Sequence, residues 1–179
     1  MKFLGVVKAD AYGHGAVQVS RTLQTLGADY LAVSSIDEAA ELRCNGITMP
    51  ILILGHTPRE QVGRLIDLHI TQAVSCQAKA LEYSEEAVRC GGTLKVHIKV
   101  DTGMSRLGFL VRGEHFETGV EAIAESCALP GLDPEGIFPI SPSLIWTART
   151  MKRIRGSSSA SLPMCWTHWP PRAAPSASA

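Results

Sequence analysis

The segment LKVHIKVD, residues 94–101, is the stretch on which the choice of fold depends. Apolar and polar residues alternate strictly, so one face of the predicted strand is aliphatic and the other carries Lys95, His97, Lys99 and Asp101. A doubly wound parallel sheet is covered by helices on both faces, where such a row would be costly. A (β/α)8 barrel could use the polar row near the strand's carboxyl end, around a ligand. An edge strand with one solvated face is the alternative.

The flanking sequence predicts parallel βα units. Further strands are predicted for KFLGVVKA (2–9), YLAVSS (30–35), ILILG (51–55) and TQAVS (71–75), with GIF (136–138) starting another. The segments between them have helical patterns: Ser35 is a predicted N-cap with Glu38 three residues on, and Thr57 is a predicted N-cap followed by Pro58 and Glu60. Strand and helix alternating at intervals of roughly 20 residues favours parallel pairing.

Composition excludes several classes of function. The 179 residues carry a net charge of zero, which gives no global reason to expect binding to nucleic acid or an acidic membrane surface. The five cysteines lack metal-ligand spacing, so we expect reduced thiols, no metal and a cytoplasmic location. No apolar run is long enough to cross a bilayer, and no signal peptide is visible.

The stretch VVKADAYGHG, residues 6–15, carries the predicted chemistry. Lys8 ends a parallel strand, the position at which barrel enzymes place catalytic groups, and a lysine there can form a Schiff base with an aldehyde cofactor. Tyr12 could donate its hydroxyl to a phosphate, and the glycines beside His14 allow a tight turn into a helix whose N-terminus favours an anion. The alternatives are a solvated lysine and an ordinary turn.

Two long motifs, VVKADAYGHGA (6–16) and VDTGMSRLGF (100–109), resemble the alanine racemases that depend on pyridoxal phosphate (PLP). The resemblance covers residues 3–138 and includes LAVSSIDEAAELR and ILILGH. It implies a (β/α)8 TIM-type barrel, with Lys8 holding the cofactor and Tyr12 contacting its phosphate. It also implies that Arg106 lies beside the cofactor's phenolic oxygen and that Lys99 is the lysine often carbamylated to orient it. Asp101 and Met104 match the motif and are interpreted as shaping the turn.

The activity implied by this resemblance is the interconversion of L- and D-alanine, which supplies D-alanine for cell-wall peptidoglycan. Lys8 would move the α-proton on one face of the substrate, and a tyrosine from the partner subunit of a homodimer would serve the other face. A serine racemase of the same family and a non-enzymatic PLP-binding module are the alternatives. The intact DTGMSRLG motif, with Arg106, favours an enzyme.

The resemblance ends at residue 138, which divides the chain into a partial racemase barrel (1–138) and an unrelated tail (139–179). Family members continue with Thr-His-Phe-Ala, whereas this chain reads PISPSL. Deleting one base at codon 139 of a gene that encodes the family's continuation would produce the sequence found here, so we hypothesise a frameshift. We expect the tail, which has no acidic residues, to be disordered. Met1 also lies almost on the first strand, so it is a candidate internal start. An incomplete barrel exposes strand edges, and we expect this chain alone to be unstable and inactive.

Overall fold

Runs of β-branched and aliphatic residues form the strands, and the amphipathic segments between them form helices. The structure is a computed structural model that describes residues 3–140. The strands are β1 (Leu4–Val6), β2 (Tyr30–Val33), β3 (Ile51–Ile53), β4 (Thr71–Val74), β5 (Leu94–Asp101), β6 (Phe109–Leu110) and β7 (Leu132–Ile140). The helical segments are α1 (Lys8–Gly13), α2 (Ala16–Thr25), α3 (Ile36–Cys44), α4 (Val62–Asp67), α5 (Gln77–Arg89) and α6 (Phe116–Cys127). Single 3-10 turns, Arg59–Gln61 and Gly113–His115, precede α4 and α6.

The sheet is parallel throughout, in the order β1, β2, β3, β4, β5 and then β7. The short strand β6 pairs with Val100 and Asp101 at the end of β5, and β7 pairs with those same residues. Strand β6 therefore lies on the β4 side of β5, beyond the end of β4. Within residues 3–140, β1 and β7 each have one neighbouring strand, so the sheet is an incomplete (β/α)8 barrel, as predicted.

Strand β5 divides its side chains between two environments. Leu94, Val96, Ile98 and Val100 belong to the main core, which lies between the sheet and the helices. A smaller cluster of Tyr30, Leu52 and Ala73, with Leu54 and Phe138 packed against it, forms the inner face of the sheet. His97, from the polar row, lies between two rings of that inner cluster, with centroids 5.2 Å from Tyr30 and 6.4 Å from Phe138. The edge-strand alternative for residues 94–101 is therefore wrong, because β5 is paired on both sides.

Polar contacts join non-adjacent strands across the amino-terminal end of this inner face. The Tyr30 hydroxyl lies 2.7 Å from the Thr71 hydroxyl and donates a hydrogen bond to Glu135 Oε2 at 3.1 Å. Glu135 also forms an ion pair with Lys95. Burial, offset in part by Glu135, lowers the pKa of His97. At the amino-terminal end of a barrel, such contacts serve stability rather than chemistry.

The N-cap predicted at Thr57 is wrong. Pro58 caps the 3-10 turn Arg59–Gln61, and α4 begins only at Val62. Thr57 instead donates its hydroxyl to Gln72 Oε1 at 2.6 Å, and its carbonyl accepts from the Tyr83 hydroxyl at 3.0 Å. Burial raises the pKa of Tyr83 to about 12. This buried network fixes the loop that follows β3.

The inner face is open at β1, where Leu4 and Val6 are 38% and 40% exposed. This matches the exposed edge expected of a partial barrel. At the other edge, β7 starts at Leu132, earlier than the predicted GIF, and continues through Pro139 and Ile140, two residues beyond the predicted boundary. The rest of the predicted tail, 141–179, lies outside the described residues. In residues 3–140, no helix is both long enough and apolar enough to span a membrane.

Candidate functional site

The predicted site residues lie where the carboxyl ends of β1 and β5 meet the loops that follow them. Lys8 comes two residues after the end of β1, and its side chain is half-buried. Val7, between them, extends the pairing of β1 by donating its N–H to the Ala32 carbonyl at 2.8 Å. The lysine therefore starts from a rigid strand end, the edge at which parallel barrels bind ligands.

The backbone after Lys8 forms one left-handed helical turn. Ala9, Asp10, Ala11 and Tyr12 have φ values of 50°, 53°, 52° and 56°. Left-handed geometry costs an L-residue about 1–2 kcal/mol, so four such residues in succession need contacts that hold them. Asp10 supplies two: its Oδ1 accepts from the N–H of Ala16 at 2.6 Å, and its carbonyl accepts from a glycine N–H at 3.0 Å. The sequence predicted a loop here, without its handedness.

Lys99 is the buried cation of the site, with 7% of its surface exposed. Its Nζ donates to the carbonyl of Leu54, at 3.4 Å. Burial, followed by the positive charges of Arg106 and Lys8, lowers the pKa of Lys99. Lys99 is therefore close enough to Arg106 and to Lys8 for their charges to act on it.

The loop that carries Arg106 is folded around the carboxylate of Asp101. Asp101 Oδ1 accepts from the N–H groups of Gly103 and Ser105 at 2.8 and 3.2 Å, and Oδ2 accepts from the N–H of Arg106 at 2.7 Å. Burial by itself would raise the pKa of Asp101, but these backbone donors, together with that of Met104, lower it overall. Asp101 shapes the turn, as the motif predicted.

Gly108 brings the end of this loop back against β5. Its φ is +149°, and an added Cβ would lie 2.6 Å from the nitrogen of Asp101 and 3.0 Å from the carbonyl oxygen of Lys99. Any side chain at position 108 would therefore push the loop away from the strand. This close approach keeps the end of the loop that carries Arg106 against β5.

In the described part of the chain, Lys99 thus lies near both Lys8 and Arg106. Tyr12 lies at the end of the left-handed turn and is 62% exposed. The positive charge of Arg106 fits a ligand with anionic groups, such as a phosphate and a phenolate, and Lys8 adds the amine that an aldehyde needs. Pyridoxal phosphate has a phosphate, a phenolic oxygen and an aldehyde. Sequence reasoning missed the Leu54 carbonyl that contacts Lys99, for which spacing gives no signal.

It also missed the second role of Glu38. Ser35 does cap α3, as predicted, because its hydroxyl accepts from the N–H of Glu38 at 3.3 Å. The carboxylate of Glu38, however, accepts from the N–H of Ala9 at 2.8 Å and from that of Ser34 at 2.6 Å. The Ser-x-x-Glu pattern signals a helix start but not a contact with the turn after Lys8.

Comparison with known proteins identifies relatives of the whole described region. The family described as "Alanine racemase, N-terminal domain" matches residues 1–151. Alanine racemase 2 of Caldanaerobacter subterraneus subsp. tengcongensis is 44% identical over 138 residues, which are 77% of this chain and 34% of that protein. This chain thus spans about a third of the length of that curated relative.

Solved structures agree with the sequence comparison. An alanine racemase of Clostridium difficile 630 in complex with cycloserine superposes with a TM-score of 0.79 at 39% identity, covering 87% of this chain and 44% of that one. A histidine racemase of Leuconostoc mesenteroides gives a TM-score of 0.71 at 29% identity, covering 84% of this chain and 41% of the other. Both similarities extend over most of the residues that build the site.

Proposed function

The chain belongs to the alanine racemase N-terminal domain family, and from this premise we propose that it is the cofactor-binding part of a PLP-dependent alanine racemase. The observation that carries the proposal is that Lys8 follows the carboxyl end of β1, while Lys99 and the loop with Arg106 lie at the carboxyl end of β5, and that the charges of Lys8 and Arg106 both act on Lys99. The curated relative named above, an alanine racemase, supports alanine as the substrate and does not favour serine. The racemase activity belongs to a longer protein, since the matched part of this chain covers 34% of its relative.

The residues present account for how the cofactor would be held. We infer that the Nζ of Lys8 bonds to its aldehyde carbon and that Tyr12 donates its hydroxyl to its phosphate. When bound, PLP supplies a conjugated ring that accepts the electron pair left when the α-proton is removed. Arg106 contributes a fixed positive charge beside the phenolic oxygen, and Asp101 holds that arginine's backbone in place.

Proton movement on one face of the substrate falls to Lys8. Once the amino group of the substrate had displaced the Nζ of Lys8 from the cofactor, the freed neutral amine would take the proton from the α-carbon, and the ammonium would return it in the reverse direction. A tyrosine of a partner subunit would serve the opposite face, so homodimer formation is part of the proposal, as is a cytoplasmic location. We accordingly expect little or no racemisation from this chain by itself.

Lys99 is proposed to be carbamylated. Its amine is buried, and burial together with the positive charges of Arg106 and Lys8 lowers its pKa and so favours the neutral form. Addition of carbon dioxide to the neutral amine forms an N–C bond, releases one proton and leaves an anion able to orient Arg106. Intact-protein mass spectrometry in bicarbonate should show a mass increase of one carbon dioxide that is absent from Lys99→Ala.

Cofactor trapping tests the proposed function directly. The purified chain is incubated with PLP, reduced with borohydride, and digested for peptide mapping. We expect the label on Lys8, and Lys8→Ala should lose both the label and the absorbance band of the bound cofactor. Lys79→Ala serves as the matched control, because Lys79 is a helix lysine paired with Glu82 on α5. Labelling of another lysine, or of none, would overturn the proposal.

A racemisation assay then separates an enzyme from a carrier. Optical activity is followed after D- or L-alanine is added to the PLP-loaded chain. Measurable racemisation by the purified monomer would contradict the expectation that the second proton donor comes from a partner subunit.

A further inference from the structure

The left-handed turn after Lys8 is tied to a distant helix by one side chain. Glu38, on the first turn of α3, is 29 residues from Ala9, yet its Oε1 accepts the N–H of Ala9 at 2.8 Å. The other oxygen accepts the N–H of Ser34 at 2.6 Å, just after β2. One carboxylate thus joins the turn after β1, the end of β2 and the start of α3.

We propose that Glu38 is a positioning residue for Lys8, a role that rests on the proposed function of Lys8 as the cofactor lysine. Ala9 is the next residue in the chain, so holding its N–H fixes the peptide that leaves Lys8. That peptide enters four residues with φ near +50°, a conformation that is not self-supporting in L-residues. Without the clamp, the turn can relax and the direction of the Lys8 side chain becomes variable.

The contacts require a carboxylate. Both oxygens accept backbone N–H groups, and charge-assisted bonds of this kind are stronger than neutral ones. Glutamine has one acceptor oxygen, so Glu38→Gln would turn an amide N–H₂ toward one of the two donors.

Amide hydrogen exchange measures the clamp without any cofactor. In Glu38→Gln, exchange of the peptide spanning residues 9–13 should accelerate about tenfold, the factor expected for losing one hydrogen bond. Glu41→Gln, an exposed glutamate on the same helix, should leave this peptide unchanged. Ser35→Ala removes the N-cap bond of α3 and controls for destabilisation of the helix alone.

PLP binding measures the positioning role. Glu38→Gln should weaken PLP binding about tenfold. It should also change the circular dichroism of the bound cofactor's absorbance band, because a variable direction of the Lys8 side chain leaves the bound ring without one fixed orientation. Ser35→Ala should leave this circular dichroism unchanged, since it retains the contact between Glu38 and the N–H of Ala9.

Each outcome either supports or overturns the positioning role of Glu38. Unchanged exchange at residues 9–13 in Glu38→Gln overturns the clamp. Faster exchange with unchanged PLP affinity and unchanged circular dichroism of the bound cofactor overturns the positioning role and leaves the proposed function standing. If wild-type Lys8 is not labelled by PLP, the proposed function fails, and the positioning role with it, whatever the exchange shows. Should Glu38→Gln not fold, Ala9→Gly relieves the left-handed strain, and Ala9→Gly is then compared with Ala9→Gly/Glu38→Gln.

Discussion

Replacing Asp101 with asparagine tests how the loop that carries Arg106 is held. The Asp101 carboxylate accepts three backbone N–H groups at 2.7–3.2 Å. An asparagine oxygen can keep the bonds to Gly103 and Ser105, but its amide would face the N–H of Arg106. Losing one charge-assisted bond costs about 1.5–3 kcal/mol, and the solvent-exposed Arg106 favours the lower figure. We expect Asp101→Asn to lower the free energy of unfolding by about 1.5 kcal/mol, and Asp101→Ala by about 3 kcal/mol.

Urea unfolding followed by circular dichroism measures this difference. With an m-value of about 2 kcal/mol/M, the midpoint of Asp101→Asn should fall by roughly 0.8 M. Asp133→Asn is the matched control, because it removes the same charge from an exposed position on β7 and should change stability by less than about 0.5 kcal/mol.

Acidification provides a second arm of the same test. The folded chain lowers the pKa of Asp101, so its stabilising contribution is complete above the unfolded value of about 3.9 and is lost as the pH falls through the folded value. The difference between wild type and Asp101→Asn should therefore shrink below about pH 4. Equal urea midpoints for Asp101→Asn and Asp133→Asn at neutral pH would refute the assignment of Asp101 as the residue that holds the loop.

Three further predictions follow from packing and burial. An added Cβ on Gly119 would lie 2.2 Å from a carbonyl oxygen of β6, so Gly119→Ala should destabilise the chain by about 1–3 kcal/mol in urea unfolding. At Gly63 an added Cβ would lie 3.4 Å from a cysteine sulfur, so Gly63→Ala should be neutral or stabilise the chain by up to about 1 kcal/mol. Similar unfolding free energies for Gly119→Ala and Gly63→Ala would disprove the close packing of α6 against β6. Burial lowers the pKa of His97, so the imidazole takes up a proton more readily in the unfolded chain than in the folded one. Thermal stability should therefore fall as the pH drops below about 6.5, and His97→Gln should reduce this pH dependence. An unchanged pH dependence in His97→Gln would count against His97 as its source. Val6 lies on the exposed edge strand β1, so Val6→Thr should reduce the binding of a hydrophobic dye and the light scattering caused by aggregation. Val88→Thr, at a residue 54% exposed on α5, should change neither. An equal effect of both substitutions would argue against β1 as the aggregation-prone edge.

Much of the fold was predictable because its signals are local. The alternation in residues 94–101 predicted a strand with one aliphatic face, and the structure buries that face against the helices. Ser35 was predictable as an N-cap, since capping depends on a few neighbouring residues. Thr57 matched the same pattern, but its hydroxyl is bonded to Gln72, a distant partner that a local rule does not include.

The sequence by itself determined the parallel βα architecture and pointed to Lys8 as the candidate cofactor lysine, because strand periodicity and motif spacing are properties of short segments. Only the tertiary structure decided which charges meet. The chain cannot reveal locally that Lys99 is buried near Lys8 and Arg106, nor that Glu38 holds the amide of Ala9. Those contacts arise from the curvature of the sheet, which brings the ends of separate strands to one edge, and from a left-handed turn that is sustained by residues far from it in sequence.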